Sequence, residues 1–496
     1  MFSRISPEQA GISSASVTRF LRALDRRGLA MHSVLLMKGD NIFSEAYWAP
    51  FHRDQCHRMY SQTKSFVGVA VGLLEEDGLL HLDDPIYTYF PDKIDRELPE
   101  VMKTLTIRHL LTMCTCGLTP SWFLSEDPDR AHLYFNENKA DHPAGTQWKY
   151  DSHGCQVLSI LVERLSGMRL FDFLNQRIFR HLDAFHTAQI LKVKNNDSWG
   201  DSALLCTTRD MAAFARFVML GGVWQGKRLM NEAYLRDATS RLADNNREGF
   251  AGAFTQGYGY LIWRVPGGFA FNGMGAQLTL CLPEQDLLFT CTADNQGFDA
   301  AKDLILSAFY EYIADEMGPA PLPDAPEAFE AYLAVEESRT LCCPQGPVTS
   351  PLAAAVCGKT FVCGENPMGI RSLRLDFTED GEGIFHYVNR QGEKDLHFGL
   401  GKNVFGKFPQ TGYSGEHGGL PDNSGYCYDC AAGGVWCQPD KLQIKVQIID
   451  RYLANLVITF SFLPDAVHVT MVKHAEQFLN EYNGQLLAVA EGGEAQ

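Results

Sequence analysis

The spacing of hydrophobic positions changes several times along the chain, and each spacing predicts a type of element. Apolar side chains recur every three or four positions from Ser6 to Gly28 and from Ala301 to Met317, which predicts amphipathic helices. Residues 33–47 alternate on both sides of a Gly-Asp turn, and residues 258–292 alternate between Pro- and Gly-containing turns. Both patterns predict antiparallel strands, the first as a hairpin. The apolar run Val67–Leu74 follows this hairpin and predicts a buried helix.

These patterns predict two folded parts separated by a linker. Four prolines between positions 319 and 326 interrupt helical spacing, so we place a Pro-rich linker at 319–351. Residues 1–318 before it combine helices with antiparallel strands, which predicts an α+β domain. Residues 352–484 show short alternating runs between turns, which predicts an all-β barrel or sandwich, with a lipocalin-like barrel favoured. Residues 485–496 are expected to be a disordered tail.

Composition and charge narrow the classes of function. The chain has 496 residues, of which 45% are hydrophobic and 21% charged, as in folded globular proteins of two or three domains. Its formal net charge of -17, without a basic cluster, argues against nucleic acid and membrane surfaces as partners. The N-terminus lacks the apolar core of a secretory signal, and no stretch has the apolar length of a membrane span, so we expect a cytoplasmic protein.

The cysteines do not predict a disulfide framework or a metal site. The chain has 14 of them, scattered along its length, and we expect reduced thiols. Cys427 and Cys430 form a C-x-x-C pair near Cys437 and His417, which could in principle hold zinc. A single pair without a second matched pair is not typical of zinc sites, so we predict neither a metal nor a cofactor.

The first candidate for chemistry is Ser61-Gln62-Thr63-Lys64, at the start of the buried helix. Ser61 and Lys64 are one helical turn apart and share a face. A serine hydroxyl attacks only when a base takes its proton, and a lysine can serve if burial suppresses its charge. Backbone N–H groups near a helix N-terminus could also stabilise an oxyanion. Alternatively, Ser61 could be a helix N-cap and Lys64 a solvated residue of the first turn. Other motifs of the chain must decide between the two interpretations.

The second candidate is Tyr150-Asp151-Ser152. Pro143 and Gly145 indicate a loop before it, and helical spacing begins just after it, at Gln156. Tyr150 and Ser152 therefore lie on a loop leading into a helix, where side chains can project into a cleft. A tyrosine can relay a proton to a leaving group, but Tyr150 could also be a half-buried packing aromatic.

Together these stretches resemble the serine β-lactamase and penicillin-binding-protein superfamily, most closely its class C-like branch of esterases, D-aminopeptidases and related serine hydrolases. The resemblance covers residues 5–317 and implies a β-lactamase-like catalytic domain, with an antiparallel sheet flanked by helices and a helical subdomain. Besides the two candidates, it rests on four short segments in family order, at 78–85, 109–113, 143–146 and 166–167.

The resemblance implies a role for each candidate residue. Ser61 would be the acylated nucleophile, and Lys64 and Tyr150 a coupled pair that handles its proton. Ser152 would contact the substrate. The backbone N–H of Ser61 and one on the Gly-rich strand would form the oxyanion hole. Substrate choice is expected to depend on loops such as Ser121–Asp141.

The third motif of the family differs in this chain. Relatives carry Lys or His, a small residue and Gly on the strand lining the cleft, whereas this chain has Phe271-Asn272-Gly273. Asn272, Gly273 and Met274 are therefore predicted to bind substrate without a cation, which favours a neutral ester, amide or lactone. His417-Gly418-Gly419 fits the motif better, but it lies beyond the linker and is rejected.

The resemblance thus implies a serine hydrolase that forms an acyl-enzyme on Ser61. Its substrate would carry an ester or amide bond in a small molecule or a D-amino-acid or short-peptide derivative. One alternative is a β-lactamase or penicillin-binding sensor that is acylated without efficient turnover. Another is a non-catalytic ligand-binding protein.

Overall fold

A computed structural model describes residues 2–246, 252–417, 425–476 and 478–491. The chain forms two compact units, one of residues 1–295 and 299–340 and the other of residues 296–298 and 341–496. Gly418 and Gly419 of the rejected motif, and the predicted tail from 492 onward, lie outside the described residues.

The helices of the first unit lie mainly between its first and last strands. In chain order they are α1 (Pro7–Ala10), α2 (Ser14–Arg26), α3 (Thr63–Glu76), α4 (Glu100–Lys103), α5 (Ile107–Leu111), α6 (Arg130–Glu137), α7 (Ser152–Ser166), α8 (Leu170–Leu174), α9 (Arg180–Leu182), α10 (Thr208–Met219), α11 (Glu232–Ala238), α12 (Ala301–Phe309) and α13 (Pro326–Glu337). Short 3-10 turns lie at Tyr60–Gln62, Ile86–Tyr89, Pro91–Lys93, Trp122–Leu124, Gly252–Thr255, Met274–Ala276 and Pro283–Gln285, and π-helical turns at Asn175–Phe179 and Tyr310–Ala314.

The strands of the first unit build one main sheet. They are β1 (Ser3–Arg4), β2 (Met31–Lys38), β3 (Asn41–Tyr47), β4 (His57–Arg58), β5 (Gly117–Leu118), β6 (Lys139–Ala140), β7 (Gln189–Ile190), β8 (Leu204–Cys206), β9 (Val223–Trp224), β10 (Lys227–Arg228), β11 (Trp263–Val265), β12 (Gly268–Gly273), β13 (Gln277–Leu282) and β14 (Leu287–Ala293). The seven-stranded sheet has the order β1-β3-β2-β14-β13-β12-β11. Its pairs are antiparallel except β1 with β3, and the predicted β2–β3 hairpin is confirmed.

Helices cover both faces of this sheet because its strands are apolar on both sides. On one face Phe289 of β14 packs against Phe20 of α2 and stacks on Phe309 of α12. On the other face Phe214 of α10 packs against β12, and Phe66 of α3 stacks on Phe214 with ring centroids 3.7 Å apart. The predicted buried helix is confirmed as α3, whose residues from Thr63 to Leu74 are all buried.

Three local predictions need correction. The helix predicted over residues 6–28 is two helices, because Gly11 ends α1 with φ 95°, a left-handed conformation that stops a helix. The strand predicted to begin at residue 258 begins at Trp263 instead. Leu261 has φ 57° and donates its N–H to the Leu111 carbonyl, which takes the chain before Trp263 out of the sheet. Pro326 starts α13 instead of breaking a helix, since proline is tolerated at a first helical position. The predicted linker 319–351 therefore contains a helix of the first unit.

The second unit is a closed β-barrel, which confirms the all-β prediction and decides for a barrel over a sandwich. It contains α14 (Ala353–Val356), a 3-10 turn at Asn480–Tyr482, and the strands β15 (Thr360–Cys363), β16 (Ser372–Phe377), β17 (Glu382–Asn389), β18 (Gly392–Leu400), β19 (Val404–Lys407), β20 (Asp429–Gln438), β21 (Lys441–Ile449), β22 (Leu453–Phe462), β23 (Ala466–His474) and β24 (Gly484–Ala490). Pairing of β18 with β20 closes the ring. The tail predicted from residue 485 instead begins with β24, which pairs with β15 and β23.

None of the described helices is long and apolar enough to cross a membrane.

Candidate active site

Ser61 lies in the 3-10 turn Tyr60–Gln62 that leads into α3. The turn is held by hydrogen bonds from the Thr63 hydroxyl to the Tyr60 carbonyl (2.6 Å) and from the Gln62 N–H to the Met59 carbonyl (3.2 Å). Tyr60 has φ 48°, a left-handed backbone conformation that residues other than glycine rarely adopt. Such conformations occur often at functional sites. The half-buried Ser61 side chain is thus carried on a strained turn at the start of a buried helix.

Lys64 lies next to Ser61, as their spacing predicts. Its Nζ donates to Ser61 Oγ at 3.0 Å and to the Asp201 carbonyl at 2.8 Å. Only 2% of the Lys64 side chain is exposed. The lysine is therefore not a solvated first-turn residue, and its ammonium is oriented by two acceptors.

Tyr150 completes a group of three. It precedes Asp151, the N-cap of α7, and its ring centroid is 5.1 Å from Lys64 Nζ. A side-chain hydrogen bond also joins Tyr150 to Lys64. The ring stacks on Trp263 with centroids 5.8 Å apart and an interplanar angle of 23°. Tyr150 is thus both a packed aromatic, the alternative considered above, and a hydrogen-bonding partner of Lys64.

The charge on Lys64 is maintained by its neighbours. Burial alone would lower the pKa of Lys64, but Tyr150 and the Asp201 carboxylate outweigh it and raise the pKa above its ordinary value. One Asp201 carboxylate oxygen lies 3.7 Å from Lys64 Nζ. The lysine is therefore an ammonium, stabilised by a buried counter-charge.

Asp201 and Arg130 were missed from the sequence. The Arg130 Nη1 atom is 3.5 Å from the second carboxylate oxygen of Asp201, and both side chains are buried. The Arg130 guanidinium lies between two indole rings, 3.8 Å from the Trp122 centroid and 4.7 Å from that of Trp199. Of these residues only Trp122 and Arg130 fall in a segment that the sequence analysis singled out, the loop Ser121–Asp141.

Ser152 and Asp151 occupy the start of α7. Ser152 is its first residue and is half-buried, at the end of the loop that carries Tyr150. Asp151 is buried and accepts the Gly154 N–H at 3.0 Å. Burial raises the pKa of Asp151 to about 6. The predicted Tyr-x-Ser segment therefore brings Tyr150 to Lys64 and leaves Ser152 partly accessible beside it in the chain.

Gly273 ends strand β12 against the turn that carries Ser61. A Cβ at this position would lie 2.4 Å from the Met59 carbonyl oxygen, which is closer than atoms can approach. Met274 follows it, half-buried, at the start of a 3-10 turn, and its carbonyl accepts from Gln277 Nε2 at 2.9 Å. A glycine is therefore required for this strand end to pack beside the Ser61 turn.

The predicted role of the Asn272 side chain needs correction. Asn272 is buried, and its Oδ1 accepts a hydrogen bond of 2.7 Å from Lys302 Nζ on α12. Neighbouring residues of a strand point to opposite faces, so Asn272 faces α12 while Gly273 faces the Ser61 turn. Burial lowers the pKa of Lys302 to about 8. Lys302 therefore lies on the α12 side of the strand, opposite the Ser61 turn, and the expectation of a neutral substrate stays a prediction.

We expect Lys302→Gln to stabilise the protein at pH 7 by about 2 kcal/mol. At this pH the lysine is protonated in both the folded and the unfolded protein, and burying its charge destabilises the folded protein. The glutamine amide can still donate to Asn272. The wild type binds fewer protons folded than unfolded between about pH 8 and 10.5, so its stability rises across that window and the advantage of the variant shrinks. Urea unfolding at pH 7 and pH 10 measures this difference in stability, with Lys227→Gln, at an exposed lysine, as the control. Equal stability of Lys302→Gln and wild type at pH 7 would contradict the expectation.

The described residues include no group of three His, Cys, Asp or Glu side chains placed to hold a metal ion. The thiols of the C-x-x-C pair are free, with Cys427 half-buried and Cys430 buried, and Cys437 is free and exposed.

Comparison with known proteins identifies the fold family. The Beta-lactamase family model matches residues 16–309, more than half of the chain. The 6-aminohexanoate-dimer hydrolase of Paenarthrobacter ureafaciens is 27% identical over 260 residues, which cover 49% of this chain and 66% of that protein. Penicillin-binding protein 4* of Bacillus subtilis is 30% identical over 142 residues, 26% of this chain and 30% of that protein.

A solved structure agrees with this result. A Bacillus anthracis protein proposed to be a 6-aminohexanoate-dimer hydrolase superposes with a TM-score of 0.53 at 17% identity, over 65% of this chain and 89% of that one. The family match confirms the resemblance read from the Ser61 and Tyr150 segments. The chain therefore belongs to the beta-lactamase family, within the superfamily of serine hydrolases that includes the serine β-lactamases and the penicillin-binding proteins.

Proposed function

We propose that this protein is a serine hydrolase that cleaves an ester or amide bond through an acyl-enzyme on Ser61. The observation that carries the proposal is the meeting of Ser61, Lys64 and Tyr150, with Lys64 Nζ 3.0 Å from the serine oxygen and hydrogen-bonded to the tyrosine. A nucleophile, a proton-handling pair and a strained turn that presents the nucleophile are the parts that acyl transfer needs.

In the acylation step, Ser61 Oγ attacks the carbonyl carbon of the substrate and a C–O bond forms. The serine proton passes to the Lys64–Tyr150 pair. Negative charge develops on the carbonyl oxygen, and the N–H of Ser61 and an N–H near Gly273 are the candidates to stabilise it. When the tetrahedral intermediate collapses, Tyr150 delivers the proton to the leaving oxygen or nitrogen.

Deacylation repeats these steps with water as the nucleophile. The pair takes a proton from water, the hydroxide attacks the acyl carbon, and Ser61 leaves with the proton returned to its oxygen. Ser152 and Met274, both half-buried at the ends of the segments around Ser61, are the candidates to contact the acyl group.

The substrate class that we propose is a linear amide or ester of a small amino acid or short peptide. The relative from Paenarthrobacter ureafaciens is named for the 6-aminohexanoate dimer, whose two units are joined by an amide bond. Such a bond is less reactive than a β-lactam and needs protonation of its leaving nitrogen. Tyr150 is suited to that task, because its side chain is hydrogen-bonded to Lys64.

The experiment that tests the proposal is intact-protein mass spectrometry of the wild type after incubation with a fluorophosphonate, a penicillin and a p-nitrophenyl ester in separate reactions. We expect a single fluorophosphonate adduct that peptide mapping locates at Ser61, and release of p-nitrophenol well beyond one equivalent. A persistent penicillin adduct with one equivalent of nitrophenol would support the penicillin-binding sensor instead. Absence of any adduct on the folded protein would contradict both.

A further inference from the structure

The Lys64–Tyr150 pair has two forms with the same number of protons when it is ready to take the serine proton. In one, Lys64 is an ammonium and Tyr150 a phenolate, and in the other both are neutral. These forms differ in which group accepts the proton, since an ammonium has no lone pair. A fixed charge near one member therefore decides the direction of proton transfer.

That fixed charge is Asp201. Its carboxylate and its carbonyl oxygen both face Lys64 Nζ, at 3.7 Å and 2.8 Å. The carboxylate is 3% exposed, so water screens its field only weakly. It attracts the ammonium form of Lys64.

We propose that Asp201, held in place by Arg130, is a positioning residue that keeps the proton on Lys64 and thereby makes Tyr150 the group that accepts the proton of Ser61. The inference rests on the proposed function and assigns the first base, which the Ser-Lys-Tyr arrangement alone leaves open.

Arg130 is held rigidly and can therefore orient the Asp201 carboxylate. Its guanidinium plane is enclosed by Trp122 and Trp199, and its side chain is 6% exposed. The same Trp199 ring also contacts the Arg58 guanidinium, whose carbon is 4.7 Å from the ring centroid. Cation–aromatic stacking restricts a guanidinium to one orientation, so Arg130 holds Asp201 without reaching Lys64.

The other charged and titratable groups around Lys64 do not replace Asp201. Burial and the neighbouring cations Arg130 and Lys64 together lower the pKa of His153 to about 4, so this histidine is neutral. Burial raises the pKa of Cys155 well above its ordinary value, so it is a neutral thiol. Among the described residues, the titratable groups that interact with Lys64 include Tyr150, Asp151, His153 and Cys155 from the loop and first turn of α7 and Asp201 from the loop before β8. Arg130 of α6 contacts Asp201 rather than Lys64.

The test is the rate of fluorophosphonate labelling of Ser61 as a function of pH, in the wild type and in Asp201→Asn. Labelling forms a P–O bond, expels fluoride and requires the serine proton to move, so it reports the first proton transfer without a known substrate. We expect Asp201→Asn to label about tenfold or more slowly at pH 7. We also expect the alkaline limb of the pH–rate profile to move to lower pH by about one unit or more in this variant. The buried Lys64 ammonium loses its counter-charge there, which lowers its pKa.

Two further variants keep the result interpretable. Asp201→Glu restores the carboxylate and should recover much of the rate and the wild-type pH profile, which a loss of packing would not explain. Asp197→Asn, in the same segment but bonded to Asn195 and not to Lys64, should label like the wild type. If Asp201→Asn does not fold, Arg130→Lys, which loses the flat guanidinium but keeps its charge, should lower the rate in the same direction.

Unchanged or faster labelling of folded Asp201→Asn with an unshifted profile would overturn the inference, because a neutral lysine would then be an adequate base. The proposed function would stand in that case, since Ser61 would still be labelled. Failure of the wild type to label at all would instead remove the proposed function.

Discussion

Ser61→Ala is expected to abolish fluorophosphonate labelling and to lower ester hydrolysis by roughly a thousandfold or more, because the variant lacks the oxygen that forms the covalent bond. The remaining hydrolysis would come from the binding site and the oxyanion donors, which the substitution leaves in place. Fold and stability should hardly change, since the Ser61 side chain is half-buried and lies on the surface of the turn.

The matched control for this variant is Ser65→Ala, one turn further along α3. Ser65 is buried, and its hydroxyl donates to the Leu261 carbonyl at 2.8 Å. Its loss should cost about 1 kcal/mol of stability and leave labelling intact. Intact-mass measurement and thermal unfolding of both variants compare the two effects. Labelling of Ser61→Ala at the wild-type rate would place the nucleophile elsewhere.

Lys64→Met is expected to have the second largest effect, because it removes half of the proton-handling pair and uncovers a buried carboxylate. We expect labelling of Ser61 to fall by about a thousandfold. We also expect the free energy of unfolding to fall by about 3 kcal/mol, since the Asp201 carboxylate loses the lysine charge 3.7 Å away in a site that water hardly reaches.

The double variant Lys64→Met/Asp201→Asn separates these effects. Removing the carboxylate as well should recover a large part of the lost stability, because no buried carboxylate is then left without the charge of Lys64. Labelling should remain as slow as in Lys64→Met. Urea unfolding and labelling rates of the four proteins complete the cycle, and recovery of labelling in the double variant would contradict a role for Lys64 in the chemistry.

The parts of the fold that repeat a short period were predictable from the sequence. Strands β2, β3, β13 and β14 and the buried helix α3 follow from alternation or from a long apolar run, because burial of a face imposes the same period on the residues. The juxtaposition of Ser61 and Lys64 was predictable for the same reason. One turn of helix brings them together whatever the rest of the chain does.

Features that depend on a single backbone angle or on a distant contact were not predictable in this way. Gly11 interrupts the first helix through one left-handed residue, which apolar spacing does not reveal. Asn272 was placed next to the cleft by its position, but the alternation of side chains along β12 turns it toward Lys302. Asp201 lies 137 positions from Lys64 in the chain, and no local pattern connects them.

The two tryptophans that contact the Arg130 guanidinium link two properties that could otherwise change separately. Trp122 and Arg130 belong to the loop 121–141, whereas Trp199 and Asp201 belong to the segment before β8. A lineage that reshaped this loop to accept a new substrate would also shift the support of the carboxylate beside Lys64. Adaptation to a new substrate and adaptation to a new pH would then require changes at the same few positions. Relatives that differ in this loop should therefore differ in the pH of their highest activity.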